Sequence, residues 1–316
     1  MSASDIDFTS LMDLRVDYAF KLFFATGDTS RLISLLNAIF ENKQIPHIIT
    51  DLTIINPYLE KADAEDKLSI LDIRARLNDG TSILIEMHLY DVIAHKFKTL
   101  RSWARAYGEE LEKSQEYTEQ NMVIHISFMN SPVQYANGDS IDKIHSLFHI
   151  MERDDHEILA TDLEIHFINM KAFVKRMEKL DDKGELYEAV IDSFSSWLTL
   201  ITQKSLKDRE TTRRVCEREE MKEAVEALAR LSSDKVKRQA YQRRLDELRT
   251  YNHVMEQLAE KDATIAEKDA TIADNYATIA DKDATIADKD ATIADKDVEI
   301  ANRDAEIARL RAQLEK

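Results

Sequence analysis

Ser69-Ile70-Leu71-Asp72-Ile73-Arg74-Ala75-Arg76-Leu77, then Asn78-Asp79-Gly80, then Ser82-Ile83-Leu84-Ile85-Glu86-Met87-His88 is the stretch that decides how this chain reads. Both apolar runs have the length and the period-two alternation of strands. Leu71, Ile73, Ala75 and Leu77 share one face of the first and Asp72 points the other way. Ile83, Ile85 and Met87 share one face of the second, while Glu86 and His88 point away. A three-residue hairpin loop is a type I turn followed by a residue in the left-handed region, and Gly80 stands at that last position. With Leu77 opposite Thr81, Asp72 is expected opposite Glu86, so that turn chemistry and the two acids agree on one register.

Outward from this pair, Val16, Ala19, Phe20, Phe23 and Phe24 have helical spacing and stop near Gly27. Ser30 is expected to cap a second helix carrying Leu32, Leu35, Leu36, Ile39 and Phe40. Strands are expected at 48–56, 68–77, 82–90 and 122–129, with a helix over 93–113 whose apolar stripe is Phe97, Leu100, Ala104, Tyr107 and Leu111. The turn-rich segment 131–140 serves as a boundary. Beyond it a strand over 163–170 precedes helices over 186–202, 216–231 and onward from Asp234. The segments are thus 1–135 as an α/β core, 136–255 as a mixed and mostly helical extension, and 256–316 as a heptad tail. In that tail Asp-Lys-Asp-Ala-Thr-Ile-Ala repeats and sets Ile265, Ile272, Ile279, Ile286, Ile293, Ile300 and Ile307 seven apart. Asp or Lys occupies most of the positions three and four from these isoleucines, so residues 260–316 are expected to form a long helix that self-associates weakly, or one that is simply solvated.

The composition limits the function. A hydrophobic content of 44% supports a real core, and a formal net charge of -17 excludes a protein that coats nucleic acid by bulk attraction, so any such contact must be local. Cys216 is the single cysteine and has no internal disulfide partner. No basic-then-apolar leader and no apolar run of membrane-spanning length occurs, which leads us to expect a cytoplasmic protein without a membrane partner. A phosphate-cradling glycine loop is missing as well, and with it the expectation of a nucleotide cofactor.

Two carboxylates set this close among isoleucine and leucine repel each other, and a cation between them lets both stay ionised. Mg²⁺, with Mn²⁺ or Ca²⁺ as alternatives, takes one or two carboxylates and completes its shell with water and phosphate oxygens, the arrangement that phosphodiester hydrolysis needs. Asp72 and Glu86 would be ligands, the Met87 carbonyl a third, and His88 would face the attacking water. The competing arrangement pairs Asp72 with Arg74 or Arg76 and Glu86 with His88, as ordinary ion pairs.

The order of helix, strand with Asp, strand with Glu and a further helix resembles the PD-(D/E)XK nuclease superfamily, and the wider sequence resembles its recombination-promoting nuclease, or transposase, branch. The resemblance rests on Asp17-Tyr18-Ala19-Phe20-Lys21-Leu22-Phe23, Leu35-Leu36-Asn37-Ala38-Ile39, Leu71-Asp72-Ile73-Arg74-Ala75, Ile85-Glu86-Met87-His88 and the series Arg101, Trp103, Tyr107, Tyr117. It continues more loosely through Asp162-Leu163-Glu164-Ile165, Trp197 and 222–249. It implies a restriction-endonuclease-like core, a mixed sheet flanked by helices, with a helical extension. It further implies a divalent-metal-dependent DNA endonuclease linked to recombination, mobile elements and phage defence, with Asp72 and Glu86 as the metal-binding acids. The departure is His88, where the superfamily has lysine and this branch often has glutamine; a histidine can orient a water or accept its proton but is a weaker fixed charge.

Lys98, Arg101 and Arg105 share one face of the helix after the acidic pair and are candidates for the DNA backbone, with Lys96 nearby and Lys21 as a further candidate from the opening helix. Lys21 and Asp17 read equally well as ordinary surface residues or as residues that reach the site from the opening helix. His145 and His149, with Glu152, would suit zinc only on a helix. Cys216 has no neighbouring histidine and reads as inert. Two functions follow: a metal-dependent nuclease, or a catalytically degenerate DNA-binding or scaffold protein that associates through its tail.

Overall fold

A computed structural model describes residues 6, 8–45, 48–55, 73–90, 95–110, 116, 120–185, 192–203, 206 and 209–314. Asp72, Leu111 and Tyr117, and the 186–191 start of an expected helix, lie outside the described residues.

The first 248 residues form one compact unit. Helix α1 (Asp17–Phe24) and helix α2 (Ser30–Asn42) bury the expected phenylalanine and leucine faces. The cap of α2 differs from expectation: Ser30 is already helical, and the Asp28 carboxylate accepts from its backbone N–H at 2.9 Å and from its hydroxyl. Strands β1 (Leu52–Ile54), β2 (Ile73–Leu77), β3 (Ser82–Met87), β4 (Val123–Met129), β7 (His145–Met151) and β8 (Ile158–Asn169) form a six-stranded mixed sheet in the order β1-β2-β3-β4-β8-β7. β5 (Val133–Gln134) and β6 (Ser140–Ile141) make a small separate hairpin out of the turn-rich segment. β7 and β8, which follow residue 135, therefore complete the sheet that β1 to β4 begin.

The decisive hairpin has the expected register over its described residues: Ile73 pairs with Ile85, Arg74 with Leu84, Ala75 with Ile83 and Arg76 with Ser82. Leu77 donates its N–H to the Thr81 carbonyl at 2.9 Å, closing the three-residue loop, and Gly80 has φ +90°. A side chain there would also collide with the Asn121 amide, so the turn demands glycine on two grounds.

Alternation along the paired strands gives the sheet two unlike faces. Ile83, Ile85, Met87, Ile124, Ile126 and Phe128 face the large core, where α1, α2, α4 (Met170–Asp181), α5 (Ser193–Thr202) and α7 (Glu219–Ser233) pack. The other face carries Arg74 and Arg76 on β2, Ser82, Leu84 and Glu86 on β3, Val123, His125 and Ser127 on β4, and Leu163, Ile165 and Phe167 on β8. Helix α3 (His95–Glu109), the crossover between the parallel strands β3 and β4, covers this second face. α6 (Arg209–Val215) lies between α5 and α7 in sequence.

Helix α3 departs from the expected stripe. Phe97 is 62% and Leu100 47% exposed, whereas His95, Thr99 and Ala106 are the buried side chains. The surface beneath it is polar at one end, and the helix turns its histidine and threonine towards it.

Helix α8 (Lys235–Leu314) carries the repeat. The second unit, 249–316, is helical over its described residues, with the seven isoleucines 48–56% exposed. Repeat threonines from Thr264 to Thr292 donate to the carbonyl four residues back, which reconciles them with a helical backbone.

Candidate active site

Glu86 stands near the C-terminal end of β3, 1% exposed, on the face under α3. Its Oε2 accepts from His88 Nε2 at 3.4 Å, and Lys98 Nζ, from the first turns of α3, lies 3.6 Å from Oε1. Oε1 has no hydrogen-bond donor among the described residues. Burial alone would raise the carboxyl pKa, but the His88 hydrogen bond and the neighbouring His125, Lys98 and His88 groups bring it down to about 2. The carboxylate is therefore ionised at neutral pH, in a place where a charge is costly without a cation.

Helix α3 meets β4 rung by rung. His95 Nε2 and the Ser127 hydroxyl are 2.6 Å apart, and two turns on the Trp103 indole donates to the Val123 carbonyl at 2.9 Å. Thr99 on the helix and His125 on the strand fall between these rungs in sequence. His95 Nδ1, Thr99 Oγ1 and both ring nitrogens of His125 are buried without hydrogen-bond partners among the described residues. Burial lowers the pKa of His95 to about 3 and that of His125 to about 4, so both rings are neutral at pH 7. The His88 and His95 rings meet edge-on, 4.1 Å between centroids. His95, Thr99, His125 and Ser127 were not among the residues expected at the site. The signal was available in His125-x-Ser127, two polar residues on one face of an otherwise apolar strand.

Arg74 and Arg76 both bind Glu110, at 3.2 and 2.9 Å, and Glu110 also accepts from the Ser82 hydroxyl at 2.5 Å. The Glu86–His88 contact of the ordinary ion-pair arrangement is present, with Lys98 added to it. Of the backbone-binding candidates, Lys98 is drawn into the site, Arg101 is exposed, and Arg105 pairs with Glu109 at 2.9 Å. Lys96 instead donates to the carbonyls of Gln134 and Tyr135. Lys21 belongs to α1, in the layer on the opposite side of the sheet from Glu86. Met87 is the last residue of β3 and its side chain faces the large core. Asp17 is more than a surface acid, because Arg244 grips both its oxygens.

The helical zinc pair does not form. His145 and His149 lie on strand β7, where residues four apart are separated by roughly 13 Å. His145 instead joins Asn42, His166 and Glu164 in a chain of hydrogen bonds of 2.8, 2.9 and 3.3 Å on the far face of the sheet. Burial lowers the pKa of both His145, to about 2, and His166.

Residues 14–257 match the family model for the PD-(D/E)XK nuclease family transposase. The chain belongs to this family. Searches of curated proteins and of solved structures find no match. A mixed sheet with helices on both faces is consistent with the PD-(D/E)XK fold. Membership makes a nuclease the supported class of activity and DNA the implied substrate, and PD-(D/E)XK nucleases typically use divalent metals. Glu86 suits such an ion: it is a buried, ionised carboxylate, one of whose oxygens has no hydrogen-bond donor among the described residues. Among the described residues no helix is long and apolar enough to cross a membrane.

Proposed function

We propose that this PD-(D/E)XK protein is a divalent-metal-dependent DNA endonuclease centred on Glu86 and Asp72. The observation that carries the reading is the Glu86 carboxylate, buried and ionised, with no hydrogen-bond donor to Oε1 among the described residues, beneath a helix that turns polar residues towards it. Asp72 enters as an expectation from the sequence: the pairs from Ile73–Ile85 to Arg76–Ser82 follow one register, and one further step of that count would set Asp72 opposite Glu86. A divalent ion held there, Mg²⁺ or Mn²⁺, would supply a Lewis acid at the phosphodiester and a hydroxide nucleophile near neutral pH. Glu86 and Asp72 would hold it, with the Met87 carbonyl as a further oxygen.

His88 Nε2 lies 3.4 Å from Glu86 Oε2; in the tautomer that donates there, Nδ1 is an acceptor that can orient a water and take its proton. Arg101, and Arg105 once it leaves Glu109, would hold the DNA backbone along the exposed flank of α3. The family's description as a transposase supports a role in recombination or mobile-element biology. Plasmid nicking should require Mg²⁺ or Mn²⁺, stop with EDTA, and fall at least a hundredfold in Asp72→Ala and Glu86→Gln, since each removes a charged ligand. Persistent cleavage by both variants would rule out this centre, and silence of the wild type with several metals would leave a DNA-binding scaffold.

A further inference from the structure

We infer that Lys98 is the resident counter-ion of Glu86, holding Oε1 in the metal-free protein and moving to a substrate phosphate when a divalent ion takes that oxygen. The inference rests on the reading of Glu86 as a metal ligand and adds to it a coupling between metal and DNA.

The two oxygens of Glu86 are used differently. Oε2 takes the His88 hydrogen bond, while Oε1 has, among the described residues, only the Lys98 ammonium, at 3.6 Å. That separation exceeds the ordinary length of an N–H···O bond, so the contact is a charge neighbour and not a formed hydrogen bond. An ammonium on a four-carbon stem is a mobile point charge, unlike a guanidinium fork that locks both oxygens. The Lys98 side chain is 31% exposed while Glu86 is 1% exposed, so the lysine comes to the carboxylate from the solvent side, along the same flank of α3 that carries Arg101. It therefore has somewhere to go.

A buried carboxylate needs a cation, and Lys98 provides one while no ion is bound. An ammonium and a dication cannot share the same oxygen, because at contact distance their repulsion in a poorly solvated site is large. Lys98 must then yield Oε1, and a phosphate oxygen at the mouth of the site is the group that receives it. Phosphate binding and metal binding therefore support each other, each drawing Lys98 away from what the other leaves behind. The neutral rings of His95 and His125 compete for neither partner by charge.

The test uses full-length protein and Mn²⁺ as the probe, with bound and free metal separated by electron paramagnetic resonance in the absence of DNA. Lys98→Met should bind Mn²⁺ about tenfold more tightly than wild type, because the competing charge has gone, while Lys98→Arg, which keeps the charge, should bind no more tightly than wild type. At saturating Mn²⁺ the single-turnover cleavage rate of Lys98→Met should nonetheless fall at least tenfold, for want of the phosphate contact. Circular dichroism melting establishes that the variants fold, and Lys98→Gln repeats the test with a polar replacement. Unchanged or weaker Mn²⁺ binding in folded Lys98→Met and Lys98→Gln would overturn the counter-ion role. Glu86→Gln distinguishes the two failures: if wild type binds Mn²⁺ and Glu86→Gln does not, the metal centre stands whatever Lys98 does. Absence of Mn²⁺ binding in wild type overturns both.

Discussion

Acidification should unfold this protein well before its carboxylates titrate, because of its buried histidines. His95, His125 and His145 are at most 5% exposed, and burial holds their pKa values at about 3, 4 and 2. In the unfolded chain each returns to about 6.5. Since the folded values are depressed, the unfolded state binds more protons below that point; stability is fully present above it and is lost as pH falls. At pH 5 each unfolded histidine is almost fully protonated and each folded one almost bare, so each contributes about 2 kcal/mol of destabilisation relative to pH 8 and the three together roughly 6 kcal/mol. The slope near pH 5 approaches about 4 kcal/mol per pH unit. His166, lowered by burial, adds in the same direction, and Glu86, lowered to about 2, extends the loss below pH 4.5. A domain in the lower part of the usual range of roughly 5–15 kcal/mol then has little left at pH 5. Urea denaturation at pH 8, 7, 6 and 5 measures the slope, and His125→Leu assigns one share of it: the variant should recover about 2 kcal/mol of the loss at pH 5. A total loss under about 2 kcal/mol between pH 8 and pH 5, or the same loss in His125→Leu, would refute burial of these rings in the neutral form.

Three further expectations concern single features. Glu110→Gln should cost about 2–3 kcal/mol in chemical denaturation, since it leaves Arg74 and Arg76 facing a neutral amide while keeping the Ser82 contact; a change under about 0.5 kcal/mol would show that solvent screens the cluster. Gly80→Ala should lower stability by at least about 1–2 kcal/mol, because φ +90° and the Asn121 amide both oppose a side chain, and a wild-type melting curve would contradict the turn. The exposed isoleucine row suggests a self-associating tail: light scattering should give more than one chain per particle for the full protein and a single chain for one ending at residue 259, and equal masses per chain would remove the tail from assembly.

The central hairpin was legible because three independent constraints coincide within a few residues: alternation on both runs, the odd loop length, and a glycine where φ must be positive. Elsewhere the tertiary surroundings decided. Helix α3 was given its apolar stripe by hydrophobicity alone, and that put Phe97 and Leu100 inward; the sheet beneath is polar around Glu86, His125 and Ser127, so His95 and Thr99 face it. β7 is hidden in the sequence because His145-Ser146 and His149 interrupt its apolar pattern, and His145 is satisfied by Asn42 and His166, which lie far off in sequence. Glu86 could be picked out as an acid in an apolar strand, whereas the place of Lys98 depends on the pitch of a helix against a strand, which residue spacing suggests only as a shared face with Arg101 and Arg105.

The same polar layer separates the two functions that the residues first allowed. Glu86 Oε1, His95 Nδ1, Thr99 Oγ1 and both nitrogens of His125 are buried without hydrogen-bond partners among the described residues, and each such group costs about 1–3 kcal/mol. A scaffold that worked only through its tail would be more stable with leucine or valine at these positions, and nothing in its packing would require otherwise. These costs gather on one face of the sheet, around one ionised carboxylate, beneath the helix that supplies the only lysine in contact with it among the described residues. Concentrated instability of this kind belongs to a site kept for binding a charged ligand, so a form of the protein with His125→Leu and Thr99→Val should gain stability and lose cleavage together.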